Sequence, residues 1–102
     1  MTEFEINKKV AQKLGLEFNI THLAGERLVK VDGFKTLFDP CNNAEQAWKI
    51  MLNNDICVTR GDCEDYNAFR LLTLDGYEWF TDKMLSHPKP FVAVMLLFLE
   101  LD

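Results

Sequence analysis

Residues 27–38 read RLVKVDGFKTLF, two β-rich runs on either side of Asp32-Gly33. Asp-Gly between such runs is a strong short-range signal for a tight hairpin, whose two central residues must adopt positive φ. Strands are therefore expected at 27–31 and 34–38. A second Asp-Gly, Asp75-Gly76, separates AFRLLTL (68–74) from YEWF (77–80) and predicts another hairpin. Between the two pairs, ICVTR (56–60) reads as a strand and RGDCEDYN (60–67) as a loop. The segment 16–25 alternates briefly at Leu16, Phe18 and Ile20 but turns polar, and reads as a connection.

Helices close the pattern at both ends and in the middle. Thr2 with Glu5 has the capping-box spacing, and Ile6, Val10 and Leu14 recur every fourth residue with Ala11 beside them. Gly15 supplies a left-handed stop, and Leu16 is placed to fold back on the stripe, so a helix is expected over 3–14. Asp39-Pro40-Cys41-Asn42-Asn43 cannot continue a strand and offers an N-cap, with Asn43 and Gln46 again three apart. Ala44, Ala47, Trp48 and Met51 then fall at i, i+3, i+4 and i+7, one apolar helix face. Asn53-Asn54-Asp55 stops that helix. Pro88 and Pro90 bracket the start of a last helix. Residues 91–101 are apolar on nearly every side, which places it at the centre of the fold or under a partner.

The resulting order is α-β-β-α-β-β-β-α. Hairpins dominate and no parallel strand–helix–strand unit is evident, so the fold class is α+β, a mainly antiparallel sheet with helices packed on it. A chain of 102 residues has room for one such domain.

Composition narrows the function classes. The formal net charge is −5. Residues 39–82 hold nine acids against Lys49, Arg60 and Arg70, whereas 1–38 and 83–102 are near balance. Direct nucleic-acid binding needs a clustered Lys/Arg surface and is not expected; a partner with a basic surface is. The longest apolar run, 91–99, is about half of the roughly 20 residues a membrane span needs. No export signal opens the chain, and three cysteines at irregular spacing do not form a disulfide framework. The expected location is the cytoplasm, with Cys41, Cys57 and Cys63 as free thiols and Cys57 in the core.

The stretch 35–52, KTLFDPCNNAEQAWKIML, resembles the central signature of small phage and prophage proteins of the ABA-sandwich and NinX-like kind. There an aromatic-Asn/Asp-Pro turn leads through Asn into a short helix. KLGL (13–16), VDG (31–33) and the Pro-Phe-Val-Ala-Val-Met-Leu-Leu run (90–97) follow the same family order. The resemblance implies helix–sheet–helix layering and a phage accessory protein in a host bacterial cell; it brings no catalytic residues. The loop 60–67 departs from the pattern in its acidity.

Motifs for chemistry are sparse. His22 and His87 have no Cys, His or carboxylate at a ligand spacing, and Cys57 and Cys63 are six apart rather than the two-residue gap of zinc knuckles. Asp62, Glu64 and Asp65 lack the glycine and closing glutamate of an EF-hand loop. Cys63 among acids is a poor nucleophile. Cys41 before a helix is better placed for a thiolate but has no companion histidine nearby in sequence. No P-loop or GxGxxG is present, and no metal or cofactor is expected.

The first functional expectation is a non-catalytic binding protein that inhibits or redirects a host complex, such as a nucleic-acid-directed defence nuclease. It would act through one acidic surface carrying Asp62, Glu64, Asp65, Tyr66, Asp75, Glu78 and Trp79, since aromatics beside acids make good interface anchors. The second is a small-ligand binder or enzyme with a pocket between the second helix and the sheet, its mouth lined by Asp39, Cys41, Asn42 and Asn43. The third is a homodimer sealed by Val94, Leu97 and Leu101 on the last helix.

Overall fold

The computed structural model describes residues 1–61, 64–74 and 76–101; at 73, 74 and 78–82 it describes the backbone only. Expectations at Asp62, Cys63 and Asp75, and those for the side chains of Glu78 and Trp79, lie outside what is described.

The first helix, α1, runs Glu3–Lys13. Its start is the capping box: Glu5 N donates to Thr2 Oγ1 at 3.2 Å and Thr2 N to Glu5 Oε1 at 3.4 Å. Its end is a Schellman motif, with Gly15 at φ +72, Gly15 N bonded to Gln12 O and Leu16 N to Ala11 O. Ile6, Val10 and Ala11 are buried as the stripe predicts, but Leu14 caps the helix and is 41% exposed.

The first hairpin lies one step earlier than Asp32-Gly33 suggests. Strands β1 (Phe18–Leu23) and β2 (Glu26–Val31) pair antiparallel, with Leu23 opposite Glu26. The turn residues between them are Ala24 at φ 52 and Gly25 at φ 81, both left-handed as a type I′ turn requires. At Asp32-Gly33 only Gly33 has positive φ, and Phe34 N closes a turn onto Val31 O. That is the pattern of a type II turn, whose twist does not suit a two-residue hairpin. Residues 34–38 are consequently not a strand; they return along β2, where Phe38 N donates to Val29 O at 2.9 Å.

Helix α2 runs Ala44–Asn54. Asn43 caps it by accepting from Gln46 N at 3.0 Å. Gln46 does not reciprocate; its amide accepts from Asp39 N at 2.7 Å and donates to Leu37 O at 3.0 Å, tying the preceding turn to the helix. The buried face is Ala47, Ile50 and Met51, whereas Trp48, expected on that face, is 58% exposed. Asp55 ends the helix in the left-handed conformation.

Strands β3 (Ile56–Arg60), β4 (Tyr66–Leu74) and β5 (Tyr77–His87) form an antiparallel sheet in that order. Leu74 faces Tyr77 across the second hairpin, as the Asp75-Gly76 signal predicts. β5 is longer than expected, continuing through a register shift opposite Phe69 and Leu71. Val58, Ala68 and Leu85 are in register and pack on the core; their neighbours Cys57, Phe69 and Met84 lie in register on the opposite face. Cys57 is therefore half-buried on the outer face and not a core residue.

Helix α3 (Pro90–Glu100) explains its own composition. It packs on all three strands of this sheet and against α1 and α2, while α1 also packs on β2. The helices thus meet between the two sheets, and an element surrounded in this way is apolar all round. Val92, Ala93, Val94, Met95, Leu97 and Phe98 are all buried. Its C-terminal carbonyls receive cations: Lys13 Nζ donates to Phe98 O and Leu101 O, and Lys83 Nζ to Glu100 O at 2.8 Å. Among the described residues no helix is long and apolar enough to cross a membrane.

Candidate functional site

The fold brings the starts of all three helices to one place. Glu3 lies in the first turn of α1, Asn42 just precedes the cap of α2, and Lys89 is the N-cap of α3. Lys89 Nζ donates to Glu3 Oε2 and to Asn42 Oδ1, both at 2.7 Å, and Asn42 Nδ2 donates to Glu3 Oε1 at 2.7 Å. Behind this triangle, Asp39 accepts from Asn7 Nδ2 at 2.8 Å and from Asn42 Nδ2 at 3.1 Å. Asn7, the one buried polar side chain among the described residues, also accepts from Cys41 N at 3.3 Å. The Lys89 and Asn42 hydrogen bonds hold the Glu3 carboxyl below its ordinary pKa, and the Glu3 contact raises Lys89.

Chemically this cluster is a brace. Its carboxylates are acceptors already engaged by donors, and no buried side-chain nitrogen or oxygen among the described residues lacks a partner. Acid–base work would need a group left free to take or give a proton at a substrate. Cys41 is buried at 2% exposure, and burial, with Glu3 and Asp39 adding to it, pushes its thiol up to about 12. The expectation that its place before α2 favours a thiolate is thereby overturned: desolvation outweighs the helix terminus. Nor do the histidines assist. His22 lies on β1, and His87 Nδ1 accepts from Lys89 N at 3.0 Å. Among the described residues no three His, Cys, Asp or Glu side chains gather as a metal site would need.

Two cavities flank the brace, and they divide the residues expected to share one mouth. One, of about 480 Å³, lies between α1 and β2 and is bordered by Glu3, Asn7, Arg27, Asp39 and Asn42. The other, of about 340 Å³, lies between the end of α1, residues 34–38 and α2, and of the expected four only Asn43 borders it. Cys41 borders neither. The second cavity has an apolar wall of Leu14, Leu16, Phe34 and Phe38, with the two phenyl rings edge to face at 5.9 Å. Sequence reading missed this wall because it assigned Phe34 and Phe38 to a strand.

The described acidic positions lie at opposite ends of β4: Glu64 and Asp65 precede the strand, whereas the backbone of Glu78 on β5 pairs with Thr73 near its far end. β4 spans nine residues, so its ends are about 26 Å apart at roughly 3.3 Å per residue. Tyr66 is partly buried and pairs with His87 at the loop end. At the other end, β3 stops at the Ile56–Arg70 pair, Leu71 N still donates to Asp55 O at 3.1 Å, and beyond it, among the described residues, β4 continues as a ribbon with β5 alone. In sequence, residues 71–82 hold Asp75, Glu78 and Asp82 and no lysine or arginine. Tyr77, at the turn, is 70% exposed.

The expected dimer face is also corrected. Val94 and Leu97 are fully buried within the single chain, because α3 is enclosed by the sheet, α1 and α2. Only Leu101, past the helix end, is partly exposed.

No protein-family model, no curated protein and no solved structure matches this chain.

Proposed function

We propose that the protein is a non-catalytic accessory binding protein, phage-encoded like the small proteins its sequence resembles. In this reading it docks on a basic surface of a host complex, such as a nucleic-acid-directed defence nuclease, and blocks or redirects it. The observation that carries the reading is the β4–β5 ribbon beyond Arg70. In sequence, residues 71–82 hold three acids and no base, and the described part of the ribbon exposes Tyr77 and pairs with no third strand among the described residues. Acids select and steer toward a basic partner, while a rigid aromatic contributes contact area on desolvation. The closed hydrogen bonding of the polar brace and the protonated Cys41 thiol agree with a role in recognition rather than bond making.

Pull-down from host lysate with ribbon and loop variants tests this. Asp75→Lys with Glu78→Lys should abolish capture of the bound complex, while Glu64→Lys with Asp65→Lys should weaken it far less. Capture unaffected by the ribbon pair would overturn the reading.

A further inference from the structure

The cavity between α1, residues 34–38 and α2 has chemistry of its own, separate from the ribbon. Its wall of Leu14, Leu16, Phe34 and Phe38 includes two large side chains, Leu14 and Phe34, each left 41% exposed. A small domain gains about 25 cal/mol for each Å² of apolar surface it removes from water, so such exposure at a concave site is costly unless something covers it. The opposite wall is the polar side of α2. Most amides there are already used: Gln46 on Asp39 and Leu37, Asn43 on the cap, and the Asn54 amide nitrogen on Ile50 O.

What remains is a pair of opposite charges. Glu45 and Lys49 both border the cavity and are one helical turn apart, so their side chains emerge as neighbours. Neither makes an ion pair or side-chain hydrogen bond with a described residue. Asn53, a further turn along and also bordering the cavity, is equally uncommitted. The cavity thus offers an acceptor, a donor cation and an amide along one helix edge, facing an aromatic and aliphatic wall. A simple anion would meet Glu45 and a simple cation would meet Lys49, each at a cost. A head group with both charges a few ångströms apart satisfies the two together.

We propose that this cavity binds a free α-amino acid with an apolar or aromatic side chain. The ammonium of the ligand lies on Glu45, its carboxylate on Lys49 with the Asn53 amide, and its side chain against Phe34, Phe38 and Leu16. At about 340 Å³ the cavity stands at the small end of the roughly 300–1,000 Å³ typical of ligand sites, which suits a single amino acid.

The test is a titration of the intact protein followed by amide NMR shifts, using four probes at millimolar concentration: L-phenylalanine, L-leucine, 3-phenylpropionate and phenethylamine. The two zwitterions should move the amides of α2 and of residues 34–38, and the two single-charge analogues should bind at least about tenfold more weakly, each lacking one charge-assisted bond. Glu45→Gln and Lys49→Met, both at exposed helix positions, should each weaken L-phenylalanine binding by a similar factor without altering the fold. Equal binding of all four probes, preference for a single-charge analogue, or no saturable shift with either amino acid overturns the proposal. Retained affinity in both charge variants does so as well.

Discussion

Leu97→Ala separates a core role for α3 from an interface role. Leu97 is fully buried in the isolated chain, on a helix enclosed by three strands and two helices. Removing three buried carbons forfeits about 2.4 kcal/mol of transfer free energy at ~0.8 kcal/mol each. The space left, about 75 Å³ if nothing collapses, adds up to ~1.8 kcal/mol at ~24 cal/mol per Å³. Alanine returns only a few tenths through its helix propensity. The expected loss is therefore about 3–4 kcal/mol, a large share of the 5–15 kcal/mol typical of a domain. Urea unfolding should show a lower midpoint at unchanged slope, and the shift should be the same at low and high protein concentration. A loss under about 1 kcal/mol, or one that fades as the protein is concentrated, would mean that Leu97 is covered by a second copy and that the core assignment is wrong.

Four further outcomes are expected. Ala24 sits at φ 52 in the first hairpin turn, so Ala24→Asn should stabilise the fold by about 0.5 kcal/mol, read as a higher urea midpoint, since Asn tolerates the left-handed region better. Asn43→Ala removes the cap of α2 and should cost about 1 kcal/mol in the same assay. Because the Glu3 carboxyl is held below its ordinary value, its contribution is present at neutral pH and is lost as pH falls through the folded-state pKa. Discounted for its exposure that contribution is about 0.5 kcal/mol, so Glu3→Gln should be less stable than the parent at pH 7 and converge with it in acid. In a Cys63→Ser background, Cys57 should react with a thiol reagent at pH 8 while Cys41, its thiol pushed up to about 12, reacts only on unfolding.

The parts of this fold legible in the sequence are those whose physics is local. The Thr2–Glu5 box, the Gly15 stop and the Asn43 cap each depend on residues within one turn, and each forms as written. Asp32-Gly33 is the stronger local hairpin signal, yet it does not form the first hairpin. β2 nevertheless takes its partner from upstream: Phe18 pairs with Val31, and Asp32 N continues the ladder to Glu17 O. Pairing along six residues outweighs the strain of one left-handed alanine. On α2, helical periodicity admits the phase of Trp48 as well as that of Ile50, so the sequence alone does not choose the buried face. The narrow seat against α3 and β3 selects Ala47, Ile50 and Met51. The polar brace had no sequence signature, since Asn7 and Asp39 are 32 residues apart and Glu3 and Lys89 are 86.

One physical consequence follows from where α3 lies. Because it draws six of its eleven residues into the core, the remaining elements can leave Trp48, Phe34 and Tyr77 partly or largely exposed without starving the interior. The two places where recognition is proposed use different elements. The cavity belongs to α1, residues 34–38 and α2; the ribbon belongs to β4 and β5, and α3 packs against both groups. No residue is shared, so their effects should be additive. Lys49→Met should leave partner capture by the ribbon intact, and Glu78→Lys should leave L-phenylalanine shifts at α2 intact. If either variant disturbs the distant function while the unfolding midpoint stays unchanged, the two sites are coupled through α3. The ligand in the cavity would then act as a regulator of docking, because a coupling free energy between sites is reciprocal.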